Sequence, residues 1–194
     1  MCAARLAFIT LIMSLAACSS APHSVALNPQ VAAAQASDKF AGLPIAIHIA
    51  DARPDKVLGQ RGAAADAPKI SVDADYSMAL RTTLANALQK LGFRTDLAGV
   101  EQPRRLRIEL RSLRYQPPVN WFGGSARASA ILAATAAHRD AGVEKTYTVE
   151  NGDWYLIAPS DEQIDRLVNA TLGEGLQRIV NDDELIRVLA AGAN

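Results

Sequence analysis

The sequence predicts an α+β domain, a two-layer sandwich whose mostly antiparallel sheet carries two long helices on one face, in the order β-α-β-β-β-β-α plus a short C-terminal helix. Three observations lead there. Apolar residues alternate at period two in Leu43 to Ala50 and in Arg104 to Tyr115, as they do in strands with one wet face. The segments Asp75 to Leu91 and the one opening at Ser160 each carry a single apolar stripe at three- and four-residue steps. Helices with one stripe each lie against one face of a sheet, and the strands cluster between them.

Ahead of these elements, Met1 to Arg5 carries one positive charge and Leu6 to Ala17 carries none and ends in small residues, the layout of a secretory signal peptide over 1–17. A spanning helix needs ~20 apolar residues, and this run stops before Ser19, Ser20 and Pro22. Leu15 occupies the third position back from the cut, where an ordinary signal peptidase wants a small residue. Leu15-Ala16-Ala17-Cys18 is similar instead to a lipobox, which marks Cys18 as the lipidated residue. Its thiol takes a diacylglyceryl group as a thioether, and cleavage frees its amine for a further acyl chain. Each buried methylene contributes ~0.8 kcal/mol, so two or three chains hold where one is marginal. The competing reading is a secreted soluble protein with a free cysteine.

Cys2 and Cys18 are the two cysteines, so the mature chain is expected to be free of disulfides and to rely on its core. The chain is 49% hydrophobic and 5% aromatic, which implies an aliphatic, alanine-rich core. Lys+Arg equals Asp+Glu at 20 each, so there is no basic excess to attract nucleic acid, and none is expected as a partner.

From 18 to 42 no period is sustained, and Pro22 and Pro29 interrupt the chain, so this stretch reads as a tether before a single domain at 43–192. In the first strand Ile45, Ile47 and Ile49 alternate with Ala46 and His48. Asp55 to Pro68 reads as a polar loop with Gly59 and Gly62, followed by a short extended piece at Ile70 to Val72. Asp73 or Asp75 caps a helix on which Tyr76, Leu80, Leu84, Ala87, Leu88 and Leu91 share a face, and Gly92 closes it. Phe93 to Leu97 reads as a short strand, which together with the first should be parallel. Ser125 to His138 is rich in alanine, a helix former, but its glycine-bearing flanks and the β-like Val143 to Glu150 favour a hairpin. Asn151-Gly152 is a turn signal at which the chain is expected to fold back or bulge. Ser160 with Gln163 forms a capping box; Asn181 with Glu184 repeats it for the final helix. Gly173 and Gly175 cost ~1 kcal/mol each in a helix, which points to close approach to the sheet.

The lipobox, the first strand running into Asp51-Ala52-Arg53, the helix closing as Leu91-Gly92-Phe93, the strand with Tyr147-Thr148-Val149-Glu150, and the helix around Ile164 to Asn169 resemble the YajG family of outer-membrane-type lipoproteins of Gram-negative bacteria. The sequence departs from that pattern by extra residues around Asn151 to Ile157. The resemblance implies an envelope lipoprotein with no assigned reaction, and it carries over no catalytic residue.

Catalysis is not expected. Nucleophilic chemistry needs a nucleophile beside a positioned base, whereas His23 falls in the tether, His48 is out of phase with the isoleucines of its strand, and no G-x-S-x-G occurs. No metal is expected: His48 and Asp51 point to opposite faces of a strand, and Asp73 to Ser77 lacks the glycine and glutamate of a calcium loop. No cofactor is expected besides the lipid on Cys18. The candidate contacts are Asp51 and Arg53, two apart on one strand face, and the basic stripe Arg105, Arg107 and Arg111, with Arg104 and Arg114 nearby. Asp51 and Arg53 form an ion pair that fixes the next loop or, alternatively, present an arginine to a carboxylate. The stripe is a solvated face, or it meets anionic headgroups or an acidic partner. The whole reads as a non-enzymatic binding or accessory module for an envelope assembly. It faces the periplasm and is anchored to the outer membrane, since Ser19 is not the aspartate associated with inner-membrane retention. The alternative is a binder of small envelope ligands such as cell-wall fragments or lipids.

Overall fold

The computed structural model describes residues 21–32, 40–73, 76–95, 102–120 and 123–192. Cys18, the signal peptide and Leu97 lie outside them. The elements run β1 (His23–Val25), β2 (Ala46–Asp51), β3 (Val57–Gln60), β4 (Lys69–Val72), α1 (Tyr76–Lys90), β5 (Arg104–Gln116), β6 (Gly124–His138), β7 (Ala141–Tyr155), α2 (Asp161–Val180) and α3 (Asp183–Ala190).

The alternation read in Arg104 to Tyr115 builds the main sheet, ordered β2-β5-β6-β7, with β2 parallel to β5 and the other pairs antiparallel. Ile47 lies beside Leu106 and Leu106 beside Ala136; Ile49, Ile108 and Ala134 form the next row. These rows face the helices, and each of Leu106, Ile108, Ala134 and Ala136 is at most 1% exposed. A bulge at Arg111 resets the parity, so that Leu113 and Tyr115, not Ser112, continue the buried row. The alanine-rich stretch is a strand, as its flanks require. Its alanines leave room for α2, where Gly175 faces the Leu132 side chain. Packing has overridden propensity.

The single two-layer sandwich must be corrected. A second mixed sheet, ordered β1-β4-β3, joins the first, and with three helices the described order is β-β-β-β-α-β-β-β-α-α. Its strands are too short to show a period, and each is held by one deeply buried residue: Val25, Leu58 or Ile70. β3 runs through the stretch read as a polar loop. Of the stretch Phe93 to Leu97, the described residues 93–95 contribute a parallel bridge between Pro44 and Arg94. Asn151-Gly152 does not turn: β7 continues through it, Asn151 paired with Ala128 and Gly152 with Arg127. A turn there would need the flanking segments to pair with each other, and both already pair with β6.

Where their ends are described, the helices obey their local signals with one exception; Asp75, one of the two candidate caps of α1, lies outside the described residues. Gly92, at φ 98°, closes α1, with Gly92 N donating to Gln89 O at 2.9 Å and Phe93 N to Leu88 O at 3.1 Å. The Ser160–Gln163 capping box opens α2. For α3 the cap is Asp182, not Asn181: the Asp182 carboxylate accepts from Glu184 N and Leu185 N.

The tether assigned to 18–42 also needs correction. Residues 21–32 are packed: β1 pairs with β4, Val25 and Leu27 are buried, and the following chain straps the two long helices. Asn28 N donates to Asn169 Oδ1 at 2.6 Å, Asn169 Nδ2 donates to Ala26 O at 3.0 Å, and Thr83 Oγ1 donates to Pro29 O at 3.0 Å. Gly173 faces this strap, not the sheet: a Cβ there would run into Gln30 O. A short segment bonded mainly to side chains has no period to read. Gly173→Ala should therefore free the strap while leaving α2 intact, since alanine gains ~1 kcal/mol in a helix and the collision is with the strap backbone. Limited proteolysis should show cleavage within 21–32 at least ten-fold faster than in wild type, with unchanged helical circular dichroism.

Candidate functional site

β2 ends on Asp51, and the turn after it brings Arg53 back over the same carboxylate. Arg53 Nε donates to Asp51 Oδ1 at 2.9 Å and Nη2 to Oδ2 at 3.0 Å, while the Arg53 backbone N–H donates to Oδ1 at 3.0 Å. Lys56 Nζ stands 2.7 Å from Oδ2. The guanidinium lies 5.4 Å from the Tyr76 ring centroid, a cation–π distance. Burial pushes the Asp51 carboxyl up, but hydrogen bonds from Arg53, Lys56 and Tyr76 outweigh it and hold the group well below the usual carboxylate range. Tyr76, half-buried and donating to Asp51, is pushed up to about 12 by that burial and by the carboxylate. The predicted pair thus forms, as a two-toothed fork with a third cation.

The Arg53 side chain is 3% exposed, and its Nη1 is buried without a hydrogen-bond partner among the described residues. Arg53 lines a cleft of about 660 Å³ where β3 crosses the end of β5 at the Arg111 bulge. Gly59 permits that crossing, because a Cβ there would run into Tyr115 O. Arg53, Lys69, Arg111 and Arg114 line the cleft against one carboxylate, Asp55, whose Oδ1 accepts from Val57 N at 2.9 Å. Arg53 and Arg111 already have acidic partners. Lys69 and Arg114, which have none among the described residues, supply the net charge. Tyr115 reaches inward from the cleft wall; its buried hydroxyl has no partner among the described residues, and burial pushes its pKa up.

The basic stripe lies on the outer face of the main sheet, opposite the helices, and it divides. Arg107 Nη2 stands 3.0 Å from Glu109 Oε1, and Arg111 Nη2 stands 3.2 Å from Glu109 Oε2 and 2.7 Å from Glu144 Oε1. Arg105 is exposed and pairs with no carboxylate among the described residues. Arg104 leaves the stripe: its buried guanidinium donates to Leu189 O at 2.8 Å and Ala191 O at 2.9 Å, satisfying carbonyls at the end of α3. The structure therefore joins Arg111 to the Arg53 cleft and leaves Arg105 and Arg107 apart from it. Lys69, Arg114 and Tyr115 complete the cleft. Only the alternation of Arg114 and Tyr115 along β5 marked them, since Lys69 arrives from the second sheet.

A further polar cluster, at the other end of the molecule, went unread. Lys145 Nζ lies 2.9 Å from both Asp182 oxygens, and the Tyr147 hydroxyl donates to Asp182 Oδ2 at 2.8 Å. Burial raises the Asp182 pKa, but these donors and the capped N–H groups lower it further, to about 2. It ties β7 to the start of α3, a structural duty.

An α+β domain, with two mixed sheets and three helices among the described residues and a basic cleft between the sheets, defines the class. Residues 29–190 match the model of a family described as "Uncharacterized lipoprotein" (Lipoprotein_16), and the chain belongs to that family. Membership in a lipoprotein family implies anchoring to a membrane by lipid. No match is found among curated proteins. Among solved structures, the chain is similar to a Xanthomonas campestris protein of the DUF330 type, with 13% identity, coverage of 87% of this chain and 96% of that one, and a TM-score of 0.55. It also matches a protein described as a neuraminyllactose-binding hemagglutinin homologue from Helicobacter pylori, at 7% identity, 88% and 98% coverage and a TM-score of 0.49. The first likeness shows a shared fold.

Proposed function

We propose that this protein is a YajG-like lipoprotein of the outer membrane, cut before Cys18 and lipidated there, whose periplasmic domain serves without catalysis as a binding or accessory module for an envelope assembly. The observation that carries the reading is β7. It is a fifteen-residue strand at the edge of the main sheet and, among the described residues, is hydrogen-bonded along its length to β6 alone. Long open edges are what extended partner segments add to, and proteins without such partners usually shorten or cover them. Only Thr148 O is occupied by a described side chain, Arg178 Nη1 at 3.1 Å. A photo-crosslinking residue placed at the exposed positions Thr148 or Glu150 in intact cells should give a discrete adduct with an envelope protein. An identical labelling pattern from Arg187, exposed on α3, would remove the support for an edge partner.

The Arg53 cleft favours a second reading, a binder of small anionic envelope ligands such as cell-wall fragments or lipids. Its support is the buried, unpartnered Nη1 beside the uncompensated Lys69 and Arg114. Arg53→Lys keeps the charge but loses the planar fork that binds carboxylate with two teeth. Capture of a carboxylate-bearing muropeptide should weaken at least ten-fold in this variant with folding retained. Equal capture would sink the second reading.

A further inference from the structure

We propose that the end of the domain carrying Val119, Trp154, Leu156 and Ile157 rests in the headgroup region of the bilayer that holds the lipid anchor. The inference rests on lipidation at Cys18 and goes beyond it, because it fixes which face of the domain meets the membrane.

The first support is chain length. His23, the first residue of β1, is five positions after Cys18. A chain spans at most ~3.6 Å per residue, so the Cys18 Cα lies within about 18 Å of the His23 Cα. His23 is fixed: its Nε2 stands 2.6 Å from Asp165 Oδ1, and its Nδ1 is 3.6 Å from Asp161 Oδ2, both in the opening turns of α2. The domain is thus leashed by the end at which α2 begins.

The second support is what that end exposes. α2 follows directly from the end of β7, so Trp154, Leu156 and Ile157 stand just ahead of the turns that hold His23; they are 65%, 72% and 66% exposed. The β5–β6 connection packs beside them. A Cβ on Gly123 would lie 3.0 Å from Trp154 Cζ2, Gly124 pairs with Tyr155, and Val119, 84% exposed, borders Gly124. Among the described residues five large hydrophobic side chains are exposed, and these are four of them; the fifth, Met78, is on α1. Apolar residues usually gather this way over a surface that is covered, and tryptophan favours the membrane interface.

The charges there are mixed. Arg61 pairs with Asp161, and Arg127 lies 3.6 Å from Glu150, so contact rests on apolar insertion and needs no anionic lipid. The short leash sets which end faces the bilayer, and tethering by it or by one twenty residues longer keeps the patch at a high effective concentration, so a modest intrinsic affinity is enough.

The test uses the lipidated full chain carrying Ile157→Cys, or Asp183→Cys on α3 at the far end, labelled with nitrobenzoxadiazole and reconstituted in phosphatidylethanolamine–phosphatidylglycerol vesicles. Lipid consumes the Cys18 thiol, so the introduced cysteine is the one that labels. Headgroup-depth spin-labelled lipid should quench the label at 157 at least three-fold more than the label at 183. The excess should survive insertion of twenty Gly/Ser residues between Ser20 and Ala21. It should fall with a label at Val119→Cys when Trp154, Leu156 and Ile157 are all replaced by serine. Equal quenching at 157 and 183, or an excess abolished by the longer leash, overturns the proposal. So does a label at 157 that stays exposed on vesicles while that position crosslinks to a protein in intact envelopes. A protein that fails to float with vesicles at all, with unacylated Cys18 by mass, defeats the anchoring reading itself; floating with position 157 in water defeats the docking alone.

Discussion

Gly59→Ala is expected to cost about 3 kcal/mol of stability, the upper range for forcing added atoms into a packed site. The obstacle is backbone: a Cβ at 59 would run into Tyr115 O, with Tyr115 C 3.2 Å away, and neither can swing aside as a side chain would. Either β3 lifts from β5 or the end of β5 bends. Both outcomes expose Leu58, now 3% exposed, and both deform the cleft that β3 walls. Gly62→Ala is the matched control, because its nearest neighbour, Ala67 Cβ, would be at an ordinary 3.9 Å. Urea denaturation should place Gly62→Ala within ~0.5 kcal/mol of wild type. Equal midpoints for the two variants would mean that the β3–β5 crossing is loose.

Arg53→Ala is expected to cost about 3 to 5 kcal/mol at neutral pH, the usual penalty for removing one partner of a buried ion pair. Asp51, whose side chain is 15% exposed, would lose both guanidinium donors and keep Lys56, 62% exposed, Tyr76 and the backbone N–H of residue 53. The loss should depend on pH in a definite direction. The folded Asp51 pKa is depressed below that of an ordinary aspartate, so its contribution is fully present above the ordinary value and is lost as pH falls through the lower folded one. The gap between wild type and Arg53→Ala should therefore be widest at pH 7 and should narrow below about pH 4. Urea titrations at pH 7 and pH 3 measure it, and a gap that widened in acid would contradict the pairing.

These two positions were not equally legible in the sequence. Asp51 and Arg53 were legible as a pair from their two-residue spacing at the end of an alternating strand, although β2 stops at Asp51 and the turn after it, not the pleat, returns Arg53 to the carboxylate. Gly59 fell in a stretch with no period, because β3 and its neighbours are too short to repeat a pattern, and what a glycine must avoid is decided by a chain distant in sequence. The same limit hid Lys69 from the cleft and the strap from α2. Long elements carry their own evidence: α1, α2 and β5 follow from stripes, caps and alternation, whereas β6 had to be read from its flanks. Asn151-Gly152 misled because a turn dipeptide states only a local preference, and β6 supplied enough ladder to override it. Asp182 displaced Asn181 as the α3 cap because Lys145 and Tyr147 reward a carboxylate there, a choice that only tertiary contacts can make.

The strap has one more consequence, for release from the membrane. In many anchored proteins a cut near the lipid frees a domain that is otherwise whole. Here the chain next to the anchor is a strand of the small sheet and carries the buried Val25 and Leu27. Shedding by cleavage within 21–32 would leave a damaged domain, its small sheet one strand short and the seam between α1 and α2 uncovered. With the lipid on Cys18, as proposed, attachment lies three residues ahead of a dozen that the fold requires, and a soluble, intact form is not available by proteolysis within 21–32.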